Sequence, residues 1–182
     1  MSARFDFENI INLLSSDSLP PLDLWQPELS GDIDISIDSQ GVWRHCGDEF
    51  KRLQIPKLFS RILCREGDEY FLKTPVEKWR ISVLETPFYF IHLQKTITPK
   101  GVQLTFVSST EDVIVLDEEH PLRVEINKKT AQPSPYLMVR SNMEGKLSRN
   151  VYYELAAMAE IDESQQKAFV CSAGKRFYIG DI

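Results

Sequence analysis

A strand, a glycine turn, an amphipathic helix and a closing strand occur near the start of the chain and again near its end. A repeated unit of this kind restricts the fold more than any single motif. The first pass reads Ile33, Ile35 and Ile37 at alternate positions, then Gly41 and Trp43. Leu58, Phe59, Ile62 and Leu63 follow at helical spacing, then Gly67 and the run Tyr70, Phe71, Leu72. The second pass reads Leu137 and Val139, Gly145 and Leu147, then Val151, Tyr152, Leu155 and Ala156, and finally Gly174 with Phe177, Tyr178 and Ile179. The spacing from glycine to helix is shorter in the second pass. The pattern predicts an α+β protein of two related domains arising by internal duplication. Two copies meeting at a seam make a crevice, the kind of place where small ligands bind.

Composition removes several function classes. With 182 residues, 42% hydrophobic and 26% charged, the chain has the makeup of a core-forming protein rather than a disordered one. A net charge of −6 argues against a nucleic-acid partner, because such proteins neutralise phosphates with clustered lysine and arginine. Cys46, Cys64 and Cys171 are widely separated, and His45, His92 and His120 show no zinc-site spacing, so no metal and no cofactor are expected. The acidic group Glu111, Asp112, Asp117, Glu118 and Glu119 lacks the alternation and central glycine of a calcium loop. The N-terminus has no signal-peptide pattern and no apolar run reaches the ~20 residues of a membrane span. A cytoplasmic protein without a membrane partner is the expectation.

Along the chain, Phe7, Ile10, Ile11 and Leu14 mark an amphipathic helix at 5–14, and Pro20, Pro21 and Pro27 make the next stretch extended. Residues 1–30 thus read as an N-terminal helix and extended arm, 31–86 as a first α+β domain and 87–182 as a second, with Pro75 the alternative boundary. Pro56 suits the first turn of a helix running to about Cys64. Trp79, Ile81 and Val83 alternate with Lys78, Arg80 and Ser82 on a strand. Strand-like runs at 88–93, 102–107, 113–116 and 122–126 follow, joined by polar turns, which predicts a strongly bent antiparallel sheet or partial barrel. A polar loop at 127–135, a strand at 136–140, a helix at 149–160 and a final hairpin at 167–172 and 176–179 complete the second domain.

The run Thr74, Pro75, Val76, Glu77, Lys78, Trp79, Arg80, Ile81, Ser82, Val83 resembles the bacterial family catalogued as domain of unknown function 1285. Gly41 and Trp43, Leu58 and Phe59, Tyr70 and Leu72, the run 136–140, then Ser148, Arg149, Tyr153, Glu154 and Leu155 stand in the family's order. The resemblance covers about 31–159. It implies a duplicated two-domain core, a second domain superficially like a pleckstrin-homology fold, and a ligand site at the domain interface. It brings no established reaction and no catalytic residues.

Candidate site residues therefore come from residue chemistry. Thr74, Glu77, Lys78 and Arg80 gather a hydroxyl, a carboxylate and two cations beside the proposed seam, suited to a phosphate or carboxylate. The alternative is that Glu77 pairs with Lys78 or Arg80 while Thr74 shapes the corner. In the second domain, Arg140 and Arg149 flank a strand end and a helix start, with Tyr152 and Tyr153 close by. Arginines beside tyrosines hold an anion and stack a planar ring, and a helix N-terminus adds backbone donors; ordinary surface cations beside core tyrosines are the alternative. The expected function is a non-catalytic cytoplasmic module binding a nucleotide-like or other anionic small molecule at the domain interface. A protein-interaction adaptor using a sheet edge or groove, or an unrecognised enzyme, are the other readings.

Overall fold

The computed structural model describes residues 19–128 and 130–181; the helix expected at 5–14 lies outside them. The chain forms two compact units, the first ending at Glu85 and the second beginning at Thr86.

In the first unit a short 3-10 turn, Leu22–Leu24, precedes β1 (Leu29–Ile37), β2 (Trp43–His45) and β3 (Asp48–Glu49). Helix α1 (Gln54–Ile62) leads to β4 (Leu63–Glu66), β5 (Glu69–Lys73) and β6 (Lys78–Val83). The strands form one sheet in the order β3-β2-β1-β6-β5-β4, in which β1 and β6 are parallel and every other pair antiparallel. Alternation along β1 buries Ile35 and Ile37. The β1–β2 turn is held by the Asp38 carboxylate, which accepts from the backbone N–H groups of Gln40 and Val42. Helix α1 buries Pro56, Phe59 and Ile62, and Phe59 packs against Trp43 at 6.0 Å and edge-on to Phe50 at 5.7 Å.

The second unit begins with β7 (Phe88–Thr98), β8 (Gly101–Ser108) and β9 (Val113–Val115), and continues with β10 (Leu122–Ile126), β11 (Pro133–Arg140) and β12 (Met143–Leu147). Their order is β10-β11-β12-β7-β8-β9, with β7 and β12 the parallel pair. Helix α2 (Arg149–Ala156) then leads to an antiparallel sheet of β13 (Glu160–Asp162), β14 (Lys167–Ser172) and β15 (Lys175–Asp181). Strand β14 packs beside β8 and β15 beside β10. The backbone N–H of Leu104 donates to Ser172 Oγ, and that of Ala173 to the Val102 carbonyl, each at 2.9 Å. Because three strands lie between β8 and β10 in the large sheet, that sheet must curl to bring both within reach of one hairpin.

The duplication is visible in this order. Each unit has two three-stranded meanders, and the first strand of one lies parallel and adjacent to the last strand of the other. The copies are therefore β1–β6 and β7–β12, not the segments that echo in the sequence. The echo matched two local hairpin–helix–hairpin runs, but α1 connects the meanders of its unit, whereas α2 follows the second meander and opens an appended sheet. Gly145 is likewise not a turn glycine: it sits inside β12 opposite Phe88. The turn falls at Ser141 and Asn142, both at positive φ, and the residues after it form β12, a strand that the glycine pattern does not mark.

Helix α2 is capped by Ser148, whose hydroxyl accepts from the Val151 N–H, and it buries Val151 and Leu155 one turn apart. It ends at Ala156, short of the expected 160. Bonds from Met158 to Leu155 and from Ala159 to Ala156 tighten the chain into 3-10 geometry before β13. Strand β11 starts at Pro133, inside the expected loop. Pairing with β12 covers β11 only from Tyr136 onward, so Pro133 and Pro135 lie where a missing N–H costs no ladder bond.

The β14–β15 hairpin turns at Ala173 and Gly174, with φ of 49° and 76°. An alanine there bears a left-handed backbone that asparagine tolerates better. Ala173→Asn is expected to raise stability by about 1 kcal/mol, read as a higher urea midpoint at unchanged slope.

Candidate functional site

In the first unit the sequence-selected residues are engaged with one another and with neighbouring carboxylates. The Thr74 hydroxyl accepts from the Glu77 N–H at 3.0 Å, and the Thr74 N–H donates to the Glu77 carbonyl at 2.9 Å, closing the turn around Pro75 and Val76. Glu77 accepts from the Trp79 indole at 3.3 Å. Strand alternation sends Trp79 and Ile81 into the core and leaves Lys78 and Arg80 half-buried on the opposite face. Lys78 Nζ lies 2.8 Å from Glu66. Arg80 contacts Asp32 and Glu69, each at 2.8 Å. Both cations also lie near the Phe71 ring. Every positive charge on this strip thus faces a carboxylate of the same unit, an arrangement that stabilises the β1–β6–β5 pairing more readily than it attracts an anion.

Arg140 has a similar setting in the second unit. Its guanidinium lies 3.6 Å from Asp112 and over the Phe88 ring at 5.0 Å. The other Asp112 oxygen accepts from the hydroxyls of Ser108 and Thr110. This network ties the β8–β9 turn to β11.

Arg149, Tyr152 and Tyr153 are brought together. They line a cavity of about 390 Å³ beside the stretch of β11 that β12 leaves uncovered, where the chain turns from β12 into α2. Tyr89 and Lys146 complete its charged and aromatic lining. Asn127, Thr130, Gln132 and Ser134 supply uncharged polar groups, and no carboxylate lines it among the described residues. Lys146 is the register partner of Tyr89 across the parallel β7–β12 pair, so a cation and a ring stand side by side on one face. Arg149 Nη2 donates to Gln132 Oε1 at 2.7 Å. Being neutral, that acceptor holds the guanidinium without cancelling its charge. Tyr152 donates to the Ile179 carbonyl at 2.8 Å, linking α2 to β15. Burial raises its phenol above the ordinary value, so it stays a donor at neutral pH.

Tyr89, Gln132 and Lys146 were not singled out in the sequence. Lys146 becomes legible once β12 is recognised as a strand, because it alternates with the core-facing Gly145 and Leu147. Gln132 carries no comparable signal, since it lies in a turn whose course only the β10–β11 pairing sets. Among the described residues no group of three or more His, Cys, Asp or Glu side chains is placed to hold a metal ion. No helix among them is long and apolar enough to cross a membrane.

Two family models match the chain: "Domain of unknown function (DUF1285), N-terminal domain" over 20–86, and "Protein of unknown function (DUF1285), C-terminal domain" over 87–179. No curated protein matches. Among solved structures, the chain is similar to a DUF1285 family protein from Silicibacter pomeroyi DSS-3, with 32% identity and a TM-score of 0.84 over 96% of this chain and 93% of that one. It is also similar to a DUF1285 family protein from Shewanella baltica OS155, with 27% identity and a TM-score of 0.55 over 69% of this chain and 91% of that one. With both domain models matched in succession and a solved relative aligned over nearly its whole length, the chain belongs to the DUF1285 family.

Proposed function

We propose that this protein is a non-catalytic cytoplasmic binding module whose second unit takes a small, nucleotide-like anion. The observation that carries the proposal is the cavity at the β12–α2 junction, which gathers Lys146, Arg149 and three tyrosines and is lined by no carboxylate among the described residues. Its volume of about 390 Å³ falls within the ~300–1,000 Å³ range of small-molecule sites. The start of α2 at its edge adds a favourable dipole for negative charge. Thr74, Glu77, Lys78, Arg80 and Arg140 are assigned to contacts within their own units, and Arg149, Tyr152 and Tyr153 to the ligand.

Calorimetric titration with nucleoside monophosphates and small organic acids tests the reading. Arg149→Ala is expected to weaken binding about ten- to a hundredfold, the worth of a charge-assisted contact of roughly 1.5–3 kcal/mol. Arg80→Ala is expected to bind as the parent does. A loss confined to Arg80→Ala would move the site to the β6 strip. An adaptor function is the second reading, supported by the edge strand β9, whose Val113 is 63% exposed and free to extend a partner strand. A protein partner retained by Arg149→Ala but lost on Val113→Pro would favour it.

A further inference from the structure

We infer that the ligand carries one planar ring and one doubly charged phosphate, and is not a polyphosphate or a dinucleotide. The inference rests on the proposed anion site and specifies what that site selects. Two positive charges, Lys146 and Arg149, stand on the lining. A phosphate monoester carries about −1.5 to −2 near neutral pH, no more than the formal charge of one lysine and one arginine. A triphosphate would leave much of its charge facing uncharged amides and hydroxyls.

Size points the same way. The cavity sits near the lower end of the small-molecule range, ample for a ring, a sugar-sized spacer and one phosphate but short for a dinucleotide. The aromatic groups are placed for the ring. Tyr89 lies beside Lys146 through the strand register, and Tyr153 lies one turn of α2 beyond Arg149, 60% exposed. A ligand whose phosphate meets Arg149 therefore has an aromatic face within one helical turn of it. Gln132 keeps Arg149 in place with a neutral acceptor.

The test is calorimetric titration of the full chain with inorganic phosphate, ribose 5-phosphate, AMP, UMP, ATP and a dinucleotide. AMP or UMP is expected to bind roughly five- to a hundredfold more tightly than ribose 5-phosphate, as expected for one stacked base. ATP and the dinucleotide are expected to bind more weakly than the monophosphate. Tyr153→Ala, at an exposed position, should keep the parent's melting temperature and lose most of the preference for AMP over ribose 5-phosphate. Gln132→Glu should abolish binding by cancelling Arg149, while Gln132→Met should retain most of it. If ribose 5-phosphate binds as well as AMP, or ATP binds best, the ring and single-phosphate inference falls while the anion site stands. If no probe binds, both fall.

Discussion

Trp79→Ala is expected to lower stability by about 3–5 kcal/mol, the cost of emptying a buried large aromatic site. Trp79 is 5% exposed on β6 and is the register partner of Gly31 on the parallel strand β1. A Cβ at Gly31 would lie 3.5 Å from the indole ring, and Gly31 has a φ of 141°, so the indole and the glycine backbone meet closely across the central pair of the sheet. The substitution also removes the indole donor from Glu77. Against a typical total of ~5–15 kcal/mol, the loss is a large fraction of what keeps the domain folded. Trp25, Trp43 and Trp79 are all in the first unit, so fluorescence from Trp25 and Trp43 reports its unfolding in the variant. A urea midpoint within error of the parent's would show that β1–β6 packing does not depend on the indole. Arg80→Ala, on the opposite face, is expected to cost at most about 1 kcal/mol, because its partners are solvent-exposed carboxylates.

Gly145→Ala is expected to cost about 1–3 kcal/mol, toward the upper end of that range for overpacking. The added Cβ would stand 2.5 Å from a Phe90 ring atom and 2.8 Å from the Phe88 Cβ. The Phe88 Cβ is fixed to the β7 backbone, and Phe90 is fully buried and edge-on to Phe106 at 6.0 Å. Neither neighbour has room to give way without opening the parallel β7–β12 pair. Gly174→Ala is the informative control: no atom lies within 4 Å of its Cβ, and only its φ of 76° opposes the change. It should cost about 1 kcal/mol. Far-UV circular dichroism in urea measures both. Equal losses would mean that conformational preference, not close strand approach, explains Gly145.

Gly145 also shows where sequence reading fails. A glycine followed by a short apolar-polar alternation reads as a turn with a strand behind it, since most isolated glycines near strands mark turns. The structure instead needs a residue without a side chain so that β12 can lie against two phenylalanines. The actual turn, Ser141 and Asn142, carries only a weak signal because neither residue is glycine. The opposite case is Trp79 and Arg80. Alternation alone assigned one to the core and the other to the opposite face, because a strand's period of two admits no other split when Ile81 is also apolar.

The α+β class, the position of α1 and the start of α2, most strand cores, and the resemblance to the family are legible in the residues alone. All of these rest on local periodicity, capping and turn chemistry, which act over a few residues. Strand pairing is set by long-range contacts: β1 lies beside β6 and β7 beside β12, so the copies are two pairs of meanders rather than two hairpin–helix runs. The candidate site depends on such contacts too. Arg149, Tyr152 and Tyr153 share one helix, but Tyr89 and Lys146 meet them through the β7–β12 pairing and Gln132 through the turn that the β10–β11 pairing sets. A local pattern specifies which face a side chain takes, whereas which faces meet depends on contacts between segments far apart in the chain.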